Sequence, residues 1–214
     1  MAIKPILFNT EMVRAILDGR KTCTRRLVKP QPKSKLCYTF AGSDSDTWGY
    51  PNRTAHEIWG EEFKLPNDIT EEELSKRWNP PYHTDDILYV RETWCGLPVN
   101  EAGHMRGHTI YYYKADGELR PKGWRGTWHP SIHMPKEASR IWLKVTDVRV
   151  ERLQDMTDDD AEAEGCFDYT STALGFFDVW DSTIKKSDLD RYGWNANPWV
   201  WVIKFERCEK PEGV

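Results

Sequence analysis

Residues 19–26 combine the side chains best suited to chemistry in this chain of 214 residues. They read Gly-Arg-Lys-Thr-Cys-Thr-Arg-Arg, so cationic groups and hydroxyls follow directly after a glycine. Several cations are costly to bury without partners, which makes this segment poor material for a core. We therefore expect it to form one wall of a pocket that binds an anion, a nucleic-acid backbone or a polar base.

Charge is distributed unevenly along the sequence. The net charge is −4 and the isoelectric point is about 5.9, so global charge does not indicate a nucleic-acid binder. The acids concentrate at residues 71–73 and 155–164. A basic stretch without acids contains Lys21, Arg25, Arg26, Lys29, Lys33 and Lys35. This separation is typical of a protein in which one face meets an anionic partner.

The composition argues against several classes of protein. Hydrophobic residues make up 39% and charged residues 30%, and no apolar run approaches the roughly 18 residues of a membrane span. The N-terminus also lacks the hydrophobic region of a signal peptide, so we expect a cytoplasmic protein without membrane contacts. Five scattered cysteines and interrupted histidine pairs predict reduced thiols, no metal site and no cofactor.

The hydrophobic spacing places residues 19–26 between a helix and a strand. A strand at residues 4–8 is followed by a helix that Asn9 or Thr10 caps and that Gly19 ends. An alternating strand follows at residues 22–28. Further strands are predicted at 86–94, 109–115, 140–153 and 198–207, and further helices at 160–164 and around 176–184.

This order of elements favours an α+β fold. Few long helices separate the strands, so we predict a mostly antiparallel, barrel-like sheet with short flanking helices. Residues 30–84 are rich in proline and glycine, have one helix signal at 70–78, and are interpreted as a large loop insertion. The chain is thus predicted to be a single domain at residues 1–208 with a tail at 209–214.

These motifs resemble the ASCH family, whose fold is similar to the PUA domain. Members carry Gly-x-Lys after the first helix with an arginine soon after, which here are Gly19, Lys21 and Arg26. Residues 85–88 resemble the family's Gly-Asp-hydrophobic start of a strand, with the glycine replaced, and residues 140–165 resemble its closing pattern. The overall pattern is similar to the larger ASCH proteins of phages and prophages. The resemblance implies a PUA-like barrel.

A closer signature within the family is Gly-Arg-Lys-Thr-x-Thr-x-Arg, which residues 19–26 match. It belongs to small bacterial amidohydrolases that remove the acetyl group from N4-acetylcytidine. The resemblance implies that Lys21 accepts a proton, Thr24 is the nucleophile and Glu164 donates a proton. A threonine hydroxyl needs such a neighbouring base, because it is a weak nucleophile.

Three functions therefore remain open. The first is binding of RNA or a modified pyrimidine nucleoside in a basic cleft, and the second is hydrolysis of an acyl group from N4 of cytidine. The third is a protein-interaction module that binds its partner through the insertions. The candidate ligand-binding residues are Gly19, Arg20, Arg25, Arg26, Arg91, Glu92 and Trp128, the last as a platform that could stack on a base.

Overall fold

The computed structural model describes residues 1–32, 37–38, 48–49, 77–99, 108–117, 126–166 and 172–213. The chain begins with strand β1 (Ile3–Leu7), helix α1 (Thr10–Leu17) and strand β2 (Cys23–Leu27). The Asn9 side chain caps α1 by accepting a hydrogen bond from the Met12 N–H at 2.8 Å. Gly19 follows the helix with a φ of 76°, the left-handed backbone that glycine adopts without strain. The predicted strand, capped helix and strand are confirmed.

The other described strands are β3 (Cys37–Tyr38), β4 (Trp48–Gly49), β5 (Arg77–Trp78), β6 (Ile87–Arg91), β7 (Trp94–Val99), β8 (His108–Tyr113), β9 (Trp142–Arg152) and β10 (Trp199–Cys208). The other α-helices are α2 (Asp158–Ala163), α3 (Thr172–Thr183) and α4 (Leu189–Tyr192). No helix in the described part of the chain is long and apolar enough to cross a membrane.

The main sheet has five strands in the order β1-β6-β9-β10-β2. β1 runs parallel to β6, and the remaining neighbours are antiparallel. Among the described residues this sheet is open, with β1 and β2 at its edges, rather than closed into the predicted barrel. A side chain bridges the edges, because the Arg26 guanidinium donates to the Leu7 carbonyl at 3.2 Å. Helix α1 packs Val13 and Ile16 into the sheet's core, so the apolar face is buried without closure.

Two hydrophobic clusters lie on opposite faces of β10. Trp201 and Ile203 belong to the cluster that contains β1, α1 and β6, whereas Val200 and Val202 belong to the cluster beneath α2 and α3. Successive side chains of a strand point to opposite faces. Since Thr24 pairs with Ile203 and Arg25 with Val202, these two neighbours of β2 face different clusters.

The predicted strand at residues 86–94 is divided in two. β6 ends at Arg91, and after two residues the chain starts β7, which pairs with β8 in a separate hairpin. Glu92 lies in this gap, where its buried carboxylate accepts a hydrogen bond from Arg140 at 3.0 Å. The break therefore depends on a contact with a distant residue, which strand propensity does not report.

The predicted insertion at residues 30–84 lies mostly outside the described residues. The same is true of residues 70–76 in the predicted helix at 70–78. Its last two residues, Arg77 and Trp78, form β5 rather than a helix. They pair with β4, which in turn pairs with β3, so the described parts of this region form a small antiparallel sheet of three strands.

Asp86 fixes the start of β6 beside β1. Its carboxylate accepts hydrogen bonds from the backbone N–H groups of Ala2 and His83 at 2.8 and 3.0 Å, and it pairs with the Lys4 ammonium at 2.8 Å. Burial raises the pKa of this carboxyl, but the hydrogen bonds and the lysine outweigh burial and hold the pKa below its ordinary value.

We expect Asp86→Asn to reduce the acid sensitivity of the fold. Because the folded-state pKa of Asp86 is lowered, its stabilising contribution is complete above the ordinary carboxyl pKa and is lost as the pH falls through the lower folded value. Urea unfolding at neutral pH and at about pH 3 measures this contribution. The difference between the two conditions should be smaller in the variant, and an equal difference in both proteins would contradict the role of Asp86.

Candidate active site

The turn between α1 and β2 is tied to the end of α2. The backbone N–H groups of Arg20 and Lys21 both donate to the Ala15 carbonyl, at 2.8 and 3.0 Å, and close the turn after α1. The next N–H, that of Thr22, donates to the Ala163 carbonyl at 2.8 Å. This contact brings the last turn of α2 against the start of β2, although the two segments are distant in sequence.

Lys21 and Glu164 form a buried ion pair at this junction. The Lys21 ammonium donates to the Glu164 carboxylate at 2.6 Å and to the Glu164 backbone carbonyl at 2.9 Å. Their side chains are 0% and 4% exposed. Glu164 caps the C-terminus of α2, whose N-terminus is held by a capping box between Thr157 and Asp160. The predicted helix end at Glu164 is therefore confirmed.

Arg25 supports the same carboxylate from the other face of β2. Its guanidinium lies 3.4 Å from Glu164, 2.7 Å from Glu151 on β9 and 3.5 Å from Asp160 on α2. Burial lowers the pKa of Arg25, but Glu164 and Glu151 outweigh burial and hold the pKa above its ordinary value. Arg25 is thus a permanent cation that joins β2, β9 and α2.

Thr24 is buried and contacts a second arginine. The Arg26 Nη1 group donates to the Thr24 Oγ1 atom at 2.8 Å and to the Arg25 carbonyl at 3.0 Å. The Phe8 ring lies 5.5 Å from both the Arg26 guanidinium and the Lys21 ammonium. A cationic donor on a hydroxyl oxygen favours the deprotonated form of that hydroxyl, which a nucleophile requires.

Cys23, next to Thr24, is unsuited to nucleophilic attack. Burial, and next the negative charge of Glu164, raise the pKa of the Cys23 thiol to about 12. A thiol is a strong nucleophile only as the thiolate, so Cys23 remains inert at neutral pH.

A cavity of about 640 Å³ lies at the free edge of β2. This volume falls in the range of small-molecule sites. Its polar wall consists of Thr24, Arg25, Arg26, Lys29 and Glu164. The rest of the lining is largely apolar and comes mainly from α1, α3 and nearby segments, together with Leu27 of β2. These residues are Leu7, Asn9, Met12, Leu27, Tyr82, Phe176, Val179, Trp180, Thr183 and Ile184. The structure thus brings Thr24 and Glu164 to one cavity, with Lys21 bonded to Glu164 behind its wall.

Several predicted ligand-binding residues lie elsewhere. Arg20 is paired with Asp18 at 2.9 Å on the surface, and Gly19 forms the turn before it. Arg91 donates to the backbone carbonyls of Met134 and Ile132. Glu92 is buried against Arg140, and Trp128 lies in the loop that precedes the bridge between His129 and Trp94. The described cavity lining includes none of these predicted residues.

The acids around Arg25 and the part of the cavity lining formed by α3 were not predicted from the sequence. Glu151 belongs to β9, and it reaches Arg25 because β9 and β2 both pair with β10. The alternation of Arg149 and Glu151 signals one face of a strand, and the partner of that face is set by the strand order. In the sequence, the apolar residues of α3 are typical of core packing and do not indicate that they line a cavity.

Gly165 permits the close approach of α1 and α2. Its φ is 93°, and a Cβ atom built on it would lie 2.9 Å from Ala15 Cβ and 3.4 Å from Lys21 Cβ. We expect Gly165→Ala to lower the free energy of unfolding by about 2–4 kcal/mol, through backbone strain and this clash. Gly19→Ala is the matched control, because Gly19 has a φ of 76° and a Cβ there meets nothing within 4 Å. Equal losses in the two variants on chemical denaturation would contradict the packing role.

The chain has a structural likeness to a known protein but no match in sequence. No protein-family model matches the chain, and no curated protein sequence matches it. Among solved structures, the chain is similar to the high-resolution crystal structure of an ASCH domain from Lactobacillus crispatus JV V101, with a TM-score of 0.42 and 9% sequence identity. The likeness covers 96% of this chain and 79% of that one.

Proposed function

We propose that the chain is an ASCH-type amidohydrolase that binds an N4-acylated cytidine in the cavity and removes the acyl group. The observation that carries the proposal is that Glu164 reaches both the cavity lined by Thr24 and the ammonium of Lys21, although it is distant from both in sequence. Thr24 and Glu164 line one cavity, and the Lys21 ammonium lies 2.6 Å from the Glu164 carboxylate. A nucleophile, a base and an acid are the groups that amide hydrolysis requires.

In the proposed reaction the Thr24 oxygen attacks the acyl carbon, and Lys21 accepts the hydroxyl proton. The bond between the acyl carbon and N4 then breaks, and Glu164 gives its proton to N4, so cytidine leaves as the neutral amine. Water hydrolyses the remaining ester on Thr24, which releases the carboxylic acid and restores the hydroxyl. One water is consumed for each amide bond broken.

The buried pair of Lys21 and Glu164 suits both of its roles. The Lys21 nitrogen and the Glu164 carboxyl are joined by one contact of 2.6 Å. In the proposed reaction this contact carries a proton between the two groups, so that Lys21 serves as the base and Glu164 as the acid.

The edge position of β2 supplies a donor for the developing oxyanion. The Thr22 carbonyl accepts from Phe205 and the Val28 N–H donates to Trp199, so the even-numbered residues of β2 bond to β10. Backbone groups alternate along an antiparallel pair, and the Arg25 N–H therefore points away from β10 toward the free edge. An N–H beside the nucleophile is a common oxyanion donor in acyl transfer.

Binding of RNA along residues 19–26 stays a prediction with less support. A nucleic-acid backbone is bound by Lys and Arg side chains that neutralise its phosphates and release the salt ions around them. Cations that are already paired with carboxylates of the protein are poorly suited to this role. Here Arg20 pairs with Asp18, Lys21 with Glu164, and Arg25 with Glu151. The charges of this stretch are thus largely neutralised within the protein, and a small polar ligand in the cavity fits the geometry better.

The test is turnover of N4-acetylcytidine by the purified protein. Chromatography should show cytidine, and proton NMR should show an equal amount of acetate. Thr22→Ala is a matched control, because Thr22 is exposed and lies two residues before Thr24. It should retain wild-type activity. Absence of cytidine after prolonged incubation with wild-type protein would refute the proposed reaction.

A further inference from the structure

Two cations of the cavity wall have no acidic partner among the described residues. Lys21 and Arg25, by contrast, are each bonded to carboxylates. Among the described residues, Arg26 donates hydrogen bonds only to neutral oxygens, those of Leu7, Thr24 and Arg25. Burial lowers the pKa of Arg26, and the negative charge of Glu164 offsets this effect only in part. An arginine nevertheless stays protonated, so the cavity wall keeps a positive charge that forms no direct ion pair within the described part of the chain.

Lys29 is the second such cation, at the other end of the same wall. It is exposed, and its ammonium lies 5.4 Å from the Tyr192 ring, a contact that leaves the charge in place. The backbone from Thr24 to Lys29 spans up to about 16 Å, because an extended chain rises about 3.3 Å per residue. The nucleophile and this lysine therefore mark two separated points along the cavity.

We infer that the ligand carries a phosphate ester and that Lys29 binds it, so the substrate is a cytidine nucleotide rather than the free nucleoside. This inference rests on the proposed function for the identity of the base. In a pyrimidine nucleotide the N4 group and the phosphate stand at opposite ends. With N4 at Thr24, the phosphate is directed along β2 toward Lys29, an exposed cation of the lining that has no acidic partner among the described residues. Arg26 adds positive potential between the two ends.

The charge pattern explains why one lysine has this role. A phosphate seated on Lys21 or Arg25 would have to displace a buried carboxylate, which is costly. Lys29 has no such competitor among the described residues and is accessible to solvent, so it binds the phosphate as a point charge. The contact should be sensitive to ionic strength, because exposed charges are screened.

The experiment compares three substrates that contain the same acetylated base. They are N4-acetylcytidine, its 5′-monophosphate, and a short RNA that carries one N4-acetylcytidine. We expect the wild type to have a kcat/KM about fivefold higher for the monophosphate than for the nucleoside. Lys29→Met should abolish this preference, and Lys29→Arg should restore it. Lys204→Met is the matched control, because Lys204 is an exposed lysine of β10 outside the described cavity lining.

Binding of the unacylated products gives a readout that does not depend on hydrolysis. Calorimetry should show tighter binding of cytidine 5′-monophosphate than of cytidine in the wild type, and equal affinities in Lys29→Met. If the wild type does not hydrolyse the acetylated substrates but still binds cytidine 5′-monophosphate more tightly than cytidine, the proposed function is refuted and the phosphate site is retained. The phosphate site would be overturned if the wild type had equal kcat/KM values and affinities for nucleoside and nucleotide. A preference for the nucleotide that survives in Lys29→Met would also overturn it. Preference for the RNA over the monophosphate would assign the phosphate to a polynucleotide.

Discussion

Thr24→Ala is expected to lower kcat/KM for N4-acetylcytidine by about a thousandfold or more. The hydroxyl is the proposed nucleophile, and the neighbouring Cys23 thiol does not replace it, since the pKa of that thiol is about 12. Alanine removes the hydroxyl from a site beside Arg26 and leaves the other cavity-lining side chains in place. Affinity for cytidine should therefore change by only a few-fold.

Thr24→Ser separates chemistry from packing. Serine keeps the oxygen and loses a methyl group, so activity should stay within about tenfold of the wild type. Thr22→Ala, two residues away and exposed, should have no effect. Steady-state kinetics on the four proteins, with calorimetric binding of cytidine, measures both quantities. If Thr24→Ala turns over as fast as the wild type, another group carries the reaction.

Lys21→Met is expected to lower the free energy of unfolding by about 3–5 kcal/mol and to abolish turnover. The substitution leaves the Glu164 carboxylate buried with Arg25 at 3.4 Å as its remaining charged partner. Removing one member of a buried ion pair leaves the other charge buried without its partner, which is destabilising, whereas removing both members leaves no such charge. The double variant Lys21→Met with Glu164→Gln should therefore recover about half of the lost stability and still be inactive.

A double-mutant cycle tests this coupling. Urea unfolding of the wild type, Lys21→Met, Glu164→Gln and the double variant gives the interaction energy of the pair. We expect a value well above that of a surface ion pair, which is at most about 1 kcal/mol. Lys4 and Asp86 supply the comparison within the same protein, since that pair is partly exposed on the lysine side. Additive losses would show that the two groups do not depend on each other.

The local elements of the site were predictable from the sequence. Asn9 and Gly19 mark the ends of α1, and the box between Thr157 and Asp160 marks the start of α2, because caps act within one turn of the backbone. The alternation that predicts β9 and β10 is equally local. The contact between Lys21 and Glu164 is of a different kind, since it spans 143 positions and was implied by family resemblance alone.

The remaining features depend on long-range register. The break between β6 and β7 follows from the pairing of Glu92 with Arg140, and the acids around Arg25 follow from the strand order of the main sheet. Among the described residues the sheet is open rather than a barrel, and its edge strands β1 and β2 are joined through the Arg26 side chain and not through backbone pairing. None of these contacts has a local periodicity, which is why spacing alone did not predict them.

The position of β2 at the edge of the sheet also affects the tendency of the protein to self-associate. A rim strand offers unpaired backbone groups to the strands of neighbouring molecules, and charged side chains on it oppose such association. On this strand the partly exposed charge is Arg26, which also lines the candidate cavity, whereas Arg25 is buried among carboxylates. Arg26 thus also opposes self-association, so replacing it with a neutral side chain would weaken colloidal solubility.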